Sequence, residues 1–142
     1  MNELIAKQWV AALRSGDYKQ GKGFLHNKDE DTFCCLGVLC DMYVQEVGNI
    51  DTFCKERLSA DAKLITVFGD STGTLPDEVR IWSGIHNDNG EFKYDKPIPG
   101  KDASYYNDVE SSLLTSMNDG EYGHEFTFEE IANIIENNWM KL

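Results

Sequence analysis

The sequence contains no hydrophobic run long enough to cross a membrane. A spanning helix needs about 20 mainly apolar residues, whereas the longest apolar stretch, Phe33–Leu39, is far shorter and is interrupted by Gly37. The first residues, Met1–Ile5, also lack the basic segment and the apolar core of a secretory signal. We therefore expect a cytoplasmic protein that has no membrane partner.

Cysteine is scarce, and its spacing is unlike that of a disulfide framework. The four cysteines are Cys34, Cys35, Cys40 and Cys54. Without an export signal, an adjacent pair and two further thiols indicate reduced cysteines. The C-x2-C pairs of structural zinc sites are missing, and the three histidines are scattered along the chain. The sequence therefore predicts neither a disulfide, nor a metal site, nor a cofactor.

Positive charge is scarce and unevenly placed. The formal net charge is −12, but residues 1–28 carry a net charge of +3 and the remainder carries −15. Binding to duplex nucleic acid needs a broad basic face that neutralises phosphates, so we expect no partner of this class. Two partners stay open: a small anionic ligand near the N-terminal segment, and a basic protein that docks on the acidic remainder.

What the sequence does contain is typical of one globular domain over residues 1–142. Hydrophobic residues make up 41% and charged residues 27% of the chain, which is enough to bury a core. Apolar residues at helical spacing, with capping residues near the ends, predict several helices. They span Asn2–Ser15, about Cys35–Val47, Leu75–Trp82, Glu110–Met117 and a last helix that begins with a capping box at Thr127–Glu130.

Strand signals cluster in the first half of the chain. Phe24–His26 and Thr32–Cys34 flank a polar stretch, Asn27–Asp31, and predict a hairpin. Leu64–Phe68 has the composition of a strand, whereas Asp51–Leu58 is expected to form a helical turn.

The segment after Trp82 is less regular. Asn89–Gly90 is a turn signal, and Glu91–Tyr94 alternates weakly, so a second hairpin is expected there. Lys96–Asn107 has the composition of a surface loop. Together these elements predict an α+β fold, in which a small antiparallel sheet with the first hairpin at its centre packs with three to four helices.

The first candidate site is the segment Arg14–Gly23. Exposed backbone amides, Arg14, Lys22 and the ring of Tyr18 could hold an anionic, aromatic molecule such as a nucleotide. The simpler interpretation is a helix that ends at a glycine, followed by a turn. The Gly-x-Gly spacing follows a helix and lacks a third glycine, so it is not a dinucleotide fingerprint.

Two further segments could carry chemistry. Cys35, at the start of a helix, is placed as a nucleophilic thiol would be, but its apolar neighbours favour core packing. Ser116–Gly120 is typical of a helix end and a turn. In the functional interpretation, Asn118 and Asp119 supply hydrogen bonds to a ligand.

The chain resembles a small protein family that is common in tailed-phage genomes. The resemblance spans most of the chain, with Glu121–Glu125 as an apparent insertion and residues 86–109 unmatched. It rests on Trp9–Gly16, on Tyr18, Gln20, Gly21, Gly23 and Leu25, on Phe33–Asp41, on Leu75-Pro76 with Val79 and Trp82, on Leu114–Gly120 and on Phe126–Glu136. It implies a phage accessory role in the host cytoplasm and no particular activity.

Small phage accessory proteins commonly act against host defence, some by sequestering cyclic or ADP-ribose-type nucleotides. By that analogy, the leading hypothesis is a non-enzymatic protein that sequesters such a signal. Arg14 and Lys22 would bind phosphate, Tyr18 would stack on the base, and Asn118 and Asp119 would contact ribose. Gln20 completes this ligand set. The alternatives are an acidic inhibitor of a host protein and a small hydrolase or cysteine-dependent enzyme, and a homo-oligomer is left open.

Overall fold

The computed structural model describes residues 1–48, 50–93 and 112–142, and in these it confirms the predicted α+β class. Six α-helices lie in the described residues, which is more than the three to four expected. They are α1 (Glu3–Arg14), α2 (Cys35–Val47), α3 (Ile50–Phe53), α4 (Asp77–Ser83), α5 (Leu114–Asp119) and α6 (Phe128–Asn138), and a short 3₁₀ helix, Trp139–Lys141, follows α6.

The strands form a five-stranded sheet in the order β1-β3-β2-β5-β4 and a separate two-stranded sheet, β6-β7. Their bounds are β1 (Lys19–Gln20), β2 (His26–Asn27), β3 (Thr32–Phe33), β4 (Cys54–Leu58), β5 (Leu64–Phe68), β6 (Glu91–Phe92) and β7 (Ser112–Leu113). The hairpin β2–β3 was predicted and lies inside the sheet. Because β1 pairs with β3 in parallel, the sheet is mixed rather than wholly antiparallel.

Local end signals fix the helices much as the sequence predicts. The Asn2 side chain accepts hydrogen bonds from the backbone amides of Leu4 and Ile5 at 2.9 and 3.4 Å, and so caps α1. Gly48 ends α2 in the left-handed conformation, with φ of 74°. The predicted capping box at Thr127 and Glu130 is present at the start of α6.

Gly37 lets α2 pack directly on the β2–β3 hairpin. A Cβ at this position would lie 1.7 Å from the carbonyl oxygen of Leu25. Only glycine therefore permits this approach of helix to hairpin. The same contact buries the thiols of Cys34, Cys35 and Cys40 among apolar side chains, as the core-packing interpretation predicted.

One hydrophobic cluster joins the helices to the sheet. Trp9 of α1 is fully buried, and its indole N–H donates to the Cys35 carbonyl oxygen at 3.0 Å. The apolar face of α6, which includes Ile131 and Ile135, packs mainly against α1. None of the helices in the described ranges is long and apolar enough to span a membrane.

Two predictions of secondary structure differ from the strands that are observed. The helical turn expected over Asp51–Leu58 is present in its first part, which lies in α3, but Cys54–Leu58 forms β4 and pairs along its whole length with β5. Leu58 and the charged residues of β4 stay exposed at the edge of the sheet, so pairing rather than burial decides their conformation. The turn at Asn89–Gly90 is present, but β6 pairs with β7 instead of a neighbouring segment.

Two predictions fall on residues that the structure does not describe, and two helices start later than predicted. Tyr94 and the predicted loop Lys96–Asn107 lie outside the described residues. Pro76 is the cap residue of α4, not its first helical residue. The helix expected over Glu110–Met117 begins at Leu114, after the short strand β7.

Candidate functional site

Gln20 joins three parts of the molecule through its side-chain amide. The amide nitrogen donates to Asn118 Oδ1 at 3.2 Å and to the Phe126 carbonyl oxygen at 2.8 Å. The amide oxygen accepts from the backbone N–H of Phe128 at 2.8 Å, which satisfies a free donor at the start of α6. Gln20 therefore ties β1 to α5 and α6.

Asn118 is fully buried and uses its whole hydrogen-bonding capacity inside the protein. Its oxygen accepts from Gln20 and from the backbone N–H of Cys35, both at 3.2 Å. Its nitrogen donates to the Gly21 carbonyl oxygen at 2.8 Å and to Asp119 Oδ1 at 2.9 Å. Because an amide side chain makes four such bonds, groups of the protein fill all the hydrogen-bonding positions of Asn118, and its predicted contact with a ribose would require the loss of one of them.

We call these contacts of Gln20 and Asn118 the Gln20–Asn118 clamp. Two other predicted ligand residues lie beside it. Asp119 accepts from the backbone N–H of Gly23, at 3.3 Å for Oδ2, and Lys22 forms an ion pair of 2.6 Å with Glu125. Both side chains are partly exposed, but they already have partners within the chain.

Tyr18 lies apart from the clamp, against α2. Its hydroxyl donates to Asp41 Oδ2 at 2.6 Å, and its ring packs edge-on against Phe33 with centroids 5.2 Å apart. Burial, together with Asp41, raises the pKa of the Tyr18 hydroxyl. The residue lines an open cavity of about 590 Å³ between α1 and α2, where its half-buried ring is held by these contacts.

Arg14 lies in a third place, between α1 and α6. Its guanidinium forms a two-pronged pair with Glu136, at 3.0 and 3.4 Å, and contacts Glu129 at 3.1 Å and Asn133 at 2.6 Å. Hydrogen bonding to Glu136 is the main reason that the pKa of Arg14 is raised. The six predicted ligand residues therefore occupy three separate regions rather than one pocket.

The surface beside Arg14 is a groove with an apolar floor. We call it the α1–α6 groove; its volume is about 530 Å³. Ala6 and Val10 form a buried part of the floor, and the indole of Trp139 is partly buried at one side. It is lined by Ala6, Lys7, Val10, Ala11, Arg14, Glu136 and Trp139.

The acidic remainder of the chain supplies most partners of the N-terminal cations. Arg14 and Lys22 bind acids from the last twenty residues or so of the described chain, and Lys28 pairs with Glu56. The opposite net charges of residues 1–28 and of the remainder were visible in the sequence. That contrast could have predicted intramolecular pairing instead of a free phosphate site.

A second cavity, beside α4, is polar and acidic. Its volume is about 670 Å³. Four carboxylates line it, those of Asp70, Asp77, Glu78 and Asp88, and Asp77 pairs with Arg80 at 2.7 Å. No sequence motif pointed to this cavity, since its residues are spread over loops and two short helices, α3 and α4.

The thiols of Cys34, Cys35 and Cys40 are buried, and their surroundings are those of core residues. Burial raises the pKa of Cys34 to about 12 and that of Cys35 and Cys40 well above the ordinary range. Cys34 Sγ accepts a hydrogen bond from the Gly37 backbone at 3.4 Å, and the Cys35 thiol donates to the Leu114 carbonyl oxygen at 3.6 Å. A thiolate at these positions would lack the cation or polar setting that activates cysteine.

A family model described as "Domain of unknown function (DUF8296)" matches residues 1–139 of the chain. No curated protein and no solved structure matches it.

Proposed function

We propose that this chain, which belongs to the DUF8296 family of domains of unknown function, binds a nucleotide-derived ligand in the α1–α6 groove and withholds it uncleaved. The observation that carries the proposal is the composition of the groove. An apolar floor, one aromatic ring and two cations, Lys7 and Arg14, meet in a concavity of about 530 Å³. Small-molecule sites commonly combine apolar walls with a few convergent polar groups at this size.

Each part of such a ligand has a matching surface in the groove. A base could stack on the indole of Trp139, and phosphates could pair with the guanidinium of Arg14 and the ammonium of Lys7. Arg14 keeps the phosphate role that the sequence predicted for it. Lys7 and Trp139 replace Lys22 and Tyr18, which lie elsewhere.

The ion pairs already present in the groove do not block an anionic ligand. The side chains of Glu129 and Glu136 are 62% and 56% exposed, and that of Glu3, the partner of Lys7, is 57% exposed. Exposed ion pairs contribute little net free energy because water and salt screen them. A phosphate that is partly desolvated against the apolar floor would form the stronger charge-assisted contact.

The biological setting follows from the resemblance to tailed-phage accessory proteins. In the host cytoplasm, a protein that holds a cyclic nucleotide or an ADP-ribose-type signal would keep it from a defence effector. Binding alone achieves this, so the proposal needs no cofactor and no catalytic step.

Calorimetry with a panel of cyclic dinucleotides and ADP-ribose isomers tests the proposal. For a ligand that binds, Arg14→Gln should weaken affinity at least about tenfold, because a charge-assisted contact is lost. Arg57→Gln is the matched control, since Arg57 is an exposed arginine on β4 and the charge change is the same. Equal affinities of the two variants, or no heat with any member of the panel, would refute this site.

Heat denaturation of the loaded protein then separates sequestration from cleavage. Intact ligand in the supernatant, identified by mass spectrometry, is the expected result. A cleaved product would show that the protein is an enzyme towards this ligand.

The acidic cavity beside α4 favours a second function, docking on a basic partner protein. Asp70, Glu78 and Asp88 present carboxylates to a cavity of about 670 Å³, which suits a lysine or arginine side chain of such a partner. Pull-down from host lysate should then weaken steeply between low and high salt. Asp88→Asn should reduce capture while Arg14→Gln leaves it unchanged, and the reverse pattern would exclude this function.

A further inference from the structure

One row of side chains crosses the whole five-stranded sheet. The register sets Gln20 opposite Phe33, Phe33 opposite His26, and Thr66 opposite Glu56. Asn27 pairs with Ile65 in the antiparallel step between β2 and β5, so the preceding His26 lies opposite Thr66. Directly opposite residues share a face of the sheet, which brings an imidazole and a hydroxyl together.

Their contacts form a hydroxyl–imidazole–carboxylate series. Thr66 Oγ1 lies 2.9 Å from His26 Nδ1, and Asp31 Oδ1 lies 3.2 Å from His26 Nε2. An ionised carboxylate can only accept, so Nε2 carries the proton of the neutral ring. Nδ1 then holds the lone pair, and the Thr66 hydroxyl must donate to it. This is the tautomer that a general base for Thr66 requires.

The imidazole is held firmly in this position. Its ring stacks on that of Phe33 with centroids 3.9 Å apart and an interplanar angle of 7°, and its side chain is only 13% exposed. Asp31 adopts a positive φ of 49° at the end of the hairpin loop, a conformation that Asp tolerates better than most residues. Packing and hydrogen bonds thus fix both nitrogens of the ring.

The series opens into a cavity of about 380 Å³ between the sheet and α2. His26 and Thr66 line it together with two cations, Lys28 and Lys55. This cavity is separate from the α1–α6 groove and from the acidic cavity, and none of the functions above uses it. It offers room for a small substrate beside the hydroxyl. Lys28 is paired with Glu56, and the carboxylates of Asp41, Asp51 and Glu56 also line the cavity, so Lys55 is the cation that we assign to a developing oxyanion.

We propose that Thr66, His26 and Asp31 form a nucleophilic site that hydrolyses small carboxylic esters, an activity beyond the binding function proposed above. Thr66 Oγ attacks the carbonyl carbon, and its proton passes to His26 Nδ1. As the tetrahedral intermediate collapses, the bond to the leaving oxygen breaks and His26 returns the proton to that oxygen. Water, deprotonated by His26, then attacks the acyl carbon. The bond from that carbon to Thr66 Oγ breaks, His26 returns the proton to Thr66 Oγ, and the acid is released.

Electrostatics around the ring favour this role. Burial lowers the pKa of His26, against opposing contributions from Asp31 and Asp41 and with a further lowering by Lys28. Lys55, Asp51 and Glu56 line the same cavity. The ring is therefore mainly neutral near pH 7, as a base must be.

Covalent labelling with an alkyl fluorophosphonate tests the nucleophile directly. The Thr66 oxygen would bond to phosphorus as fluoride leaves. The intact mass should then increase by one attached probe, and the label should be found on a peptide that contains Thr66. Thr66→Ser should still be labelled, whereas Thr66→Val should not. Thr32→Val is the matched control, because Thr32 is buried in β3 on the alternate face, and it should label like the parent.

Variants of the other two residues test how the hydroxyl is activated. His26→Gln should slow labelling at least about a hundredfold. Asp31→Asn should slow labelling about tenfold. In the parent protein the Asp31 carboxylate raises the pKa of His26, so its removal should lower that pKa and move the pH midpoint of labelling downwards. Asp31 is exposed, so this variant should keep its fold by circular dichroism. A purely structural role would leave the pH midpoint unchanged.

Turnover of p-nitrophenyl acetate gives an independent measurement. Thr66→Val should lose the activity, while Thr32→Val, the control on the other face of the sheet, keeps it. An unlabelled parent protein, a label on another residue, or equal labelling of the parent and Thr66→Val would each overturn the proposal.

Discussion

Two sets of polar contacts join the N-terminal segment to the last helices, and they differ in burial. The Gln20–Asn118 clamp is buried around Asn118, whose four hydrogen-bonding positions are all filled by protein groups. The α1–α6 groove holds Arg14 against carboxylates that are more than half exposed. Both sets join residues that lie far apart in the sequence, 83 to 122 positions in the contacts named here. The ion pairs of Arg14 face solvent, whereas the bonds of Asn118 are buried.

The difference separates residues that stabilise from residues that can bind. Removing one partner of a buried, saturated network leaves other groups without hydrogen bonds, at a cost of about 1–3 kcal/mol each. Breaking an exposed ion pair costs little, since water replaces the lost partner. A ligand can therefore displace contacts in the groove, whereas it cannot displace the clamp without unfolding its surroundings.

Thiol reactivity gives the largest expected contrast between buried and accessible positions. Cys34, Cys35 and Cys40 are buried, and Cys35 lies directly under the clamp, whereas Cys54 is only partly buried. Iodoacetamide should therefore modify Cys54 first, and the other three about a thousandfold more slowly, through unfolding. Peptide mass spectrometry over time measures this. Rapid labelling of Cys35 in the folded protein would contradict it and would reopen covalent catalysis by that thiol.

Gly37→Ala tests the packing that brings α2 under the clamp. In an open helix this change would stabilise by about 1 kcal/mol, but here the added Cβ meets the Leu25 carbonyl oxygen. We expect a loss of about 3 kcal/mol in the free energy of unfolding, measured with urea. Gly73→Ala is the control, because a Cβ there meets nothing within 4 Å. Equal stability of the two variants would disprove the close approach.

Asn118→Ala tests the clamp itself. The Cys35 amide, the Gly21 carbonyl and the Gln20 amide would each lose a partner, so at about 1 kcal/mol for each lost partner we expect a loss of about 3 kcal/mol. Asn137→Ala should change stability little, because Asn137 is exposed and bonds only within its own helix. If the two changes cost the same, the clamp contributes no more than a surface contact.

Features encoded within a few residues were predictable, and contacts between distant segments were not. The cap at Asn2, the stop at Gly48 and the capping box at Thr127 each depend on neighbours along the chain, and the structure confirms them. Gln20 instead bonds to residues about a hundred positions away. Nothing in its local sequence distinguishes a clamp from a ligand contact, so its side chain was assigned to a binding site.

The same limit explains why β4 was not predicted and why the predicted ligand residues lie in separate regions. The sequence Cys54–Leu58 is mostly charged and does not alternate as a half-buried strand does, yet pairing with β5 makes it β4. Arg14 and Lys22 are close in sequence, but Arg14 pairs with Glu136 on α6 and Lys22 pairs with Glu125 in the segment before α6. Proximity along the chain predicted a shared pocket that the fold does not form.

The smallest expected effect is that of Glu136→Gln on ligand affinity, and it tests the α1–α6 groove most specifically. Glu136→Gln removes the carboxylate that competes for Arg14, so the affinity of an anionic ligand should rise by about threefold or more, opposite in sign to Arg14→Gln. The pKa of Glu136 is lowered by Arg14, so the carboxylate is charged and competes fully above its ordinary pKa. As pH falls through the lowered pKa, the parent should approach the affinity of the variant.

Calorimetry at two pH values, with Glu121→Gln as a control away from the groove, measures both effects. Weaker binding by Glu136→Gln would mean that the carboxylate positions Arg14 for the ligand instead of competing with it.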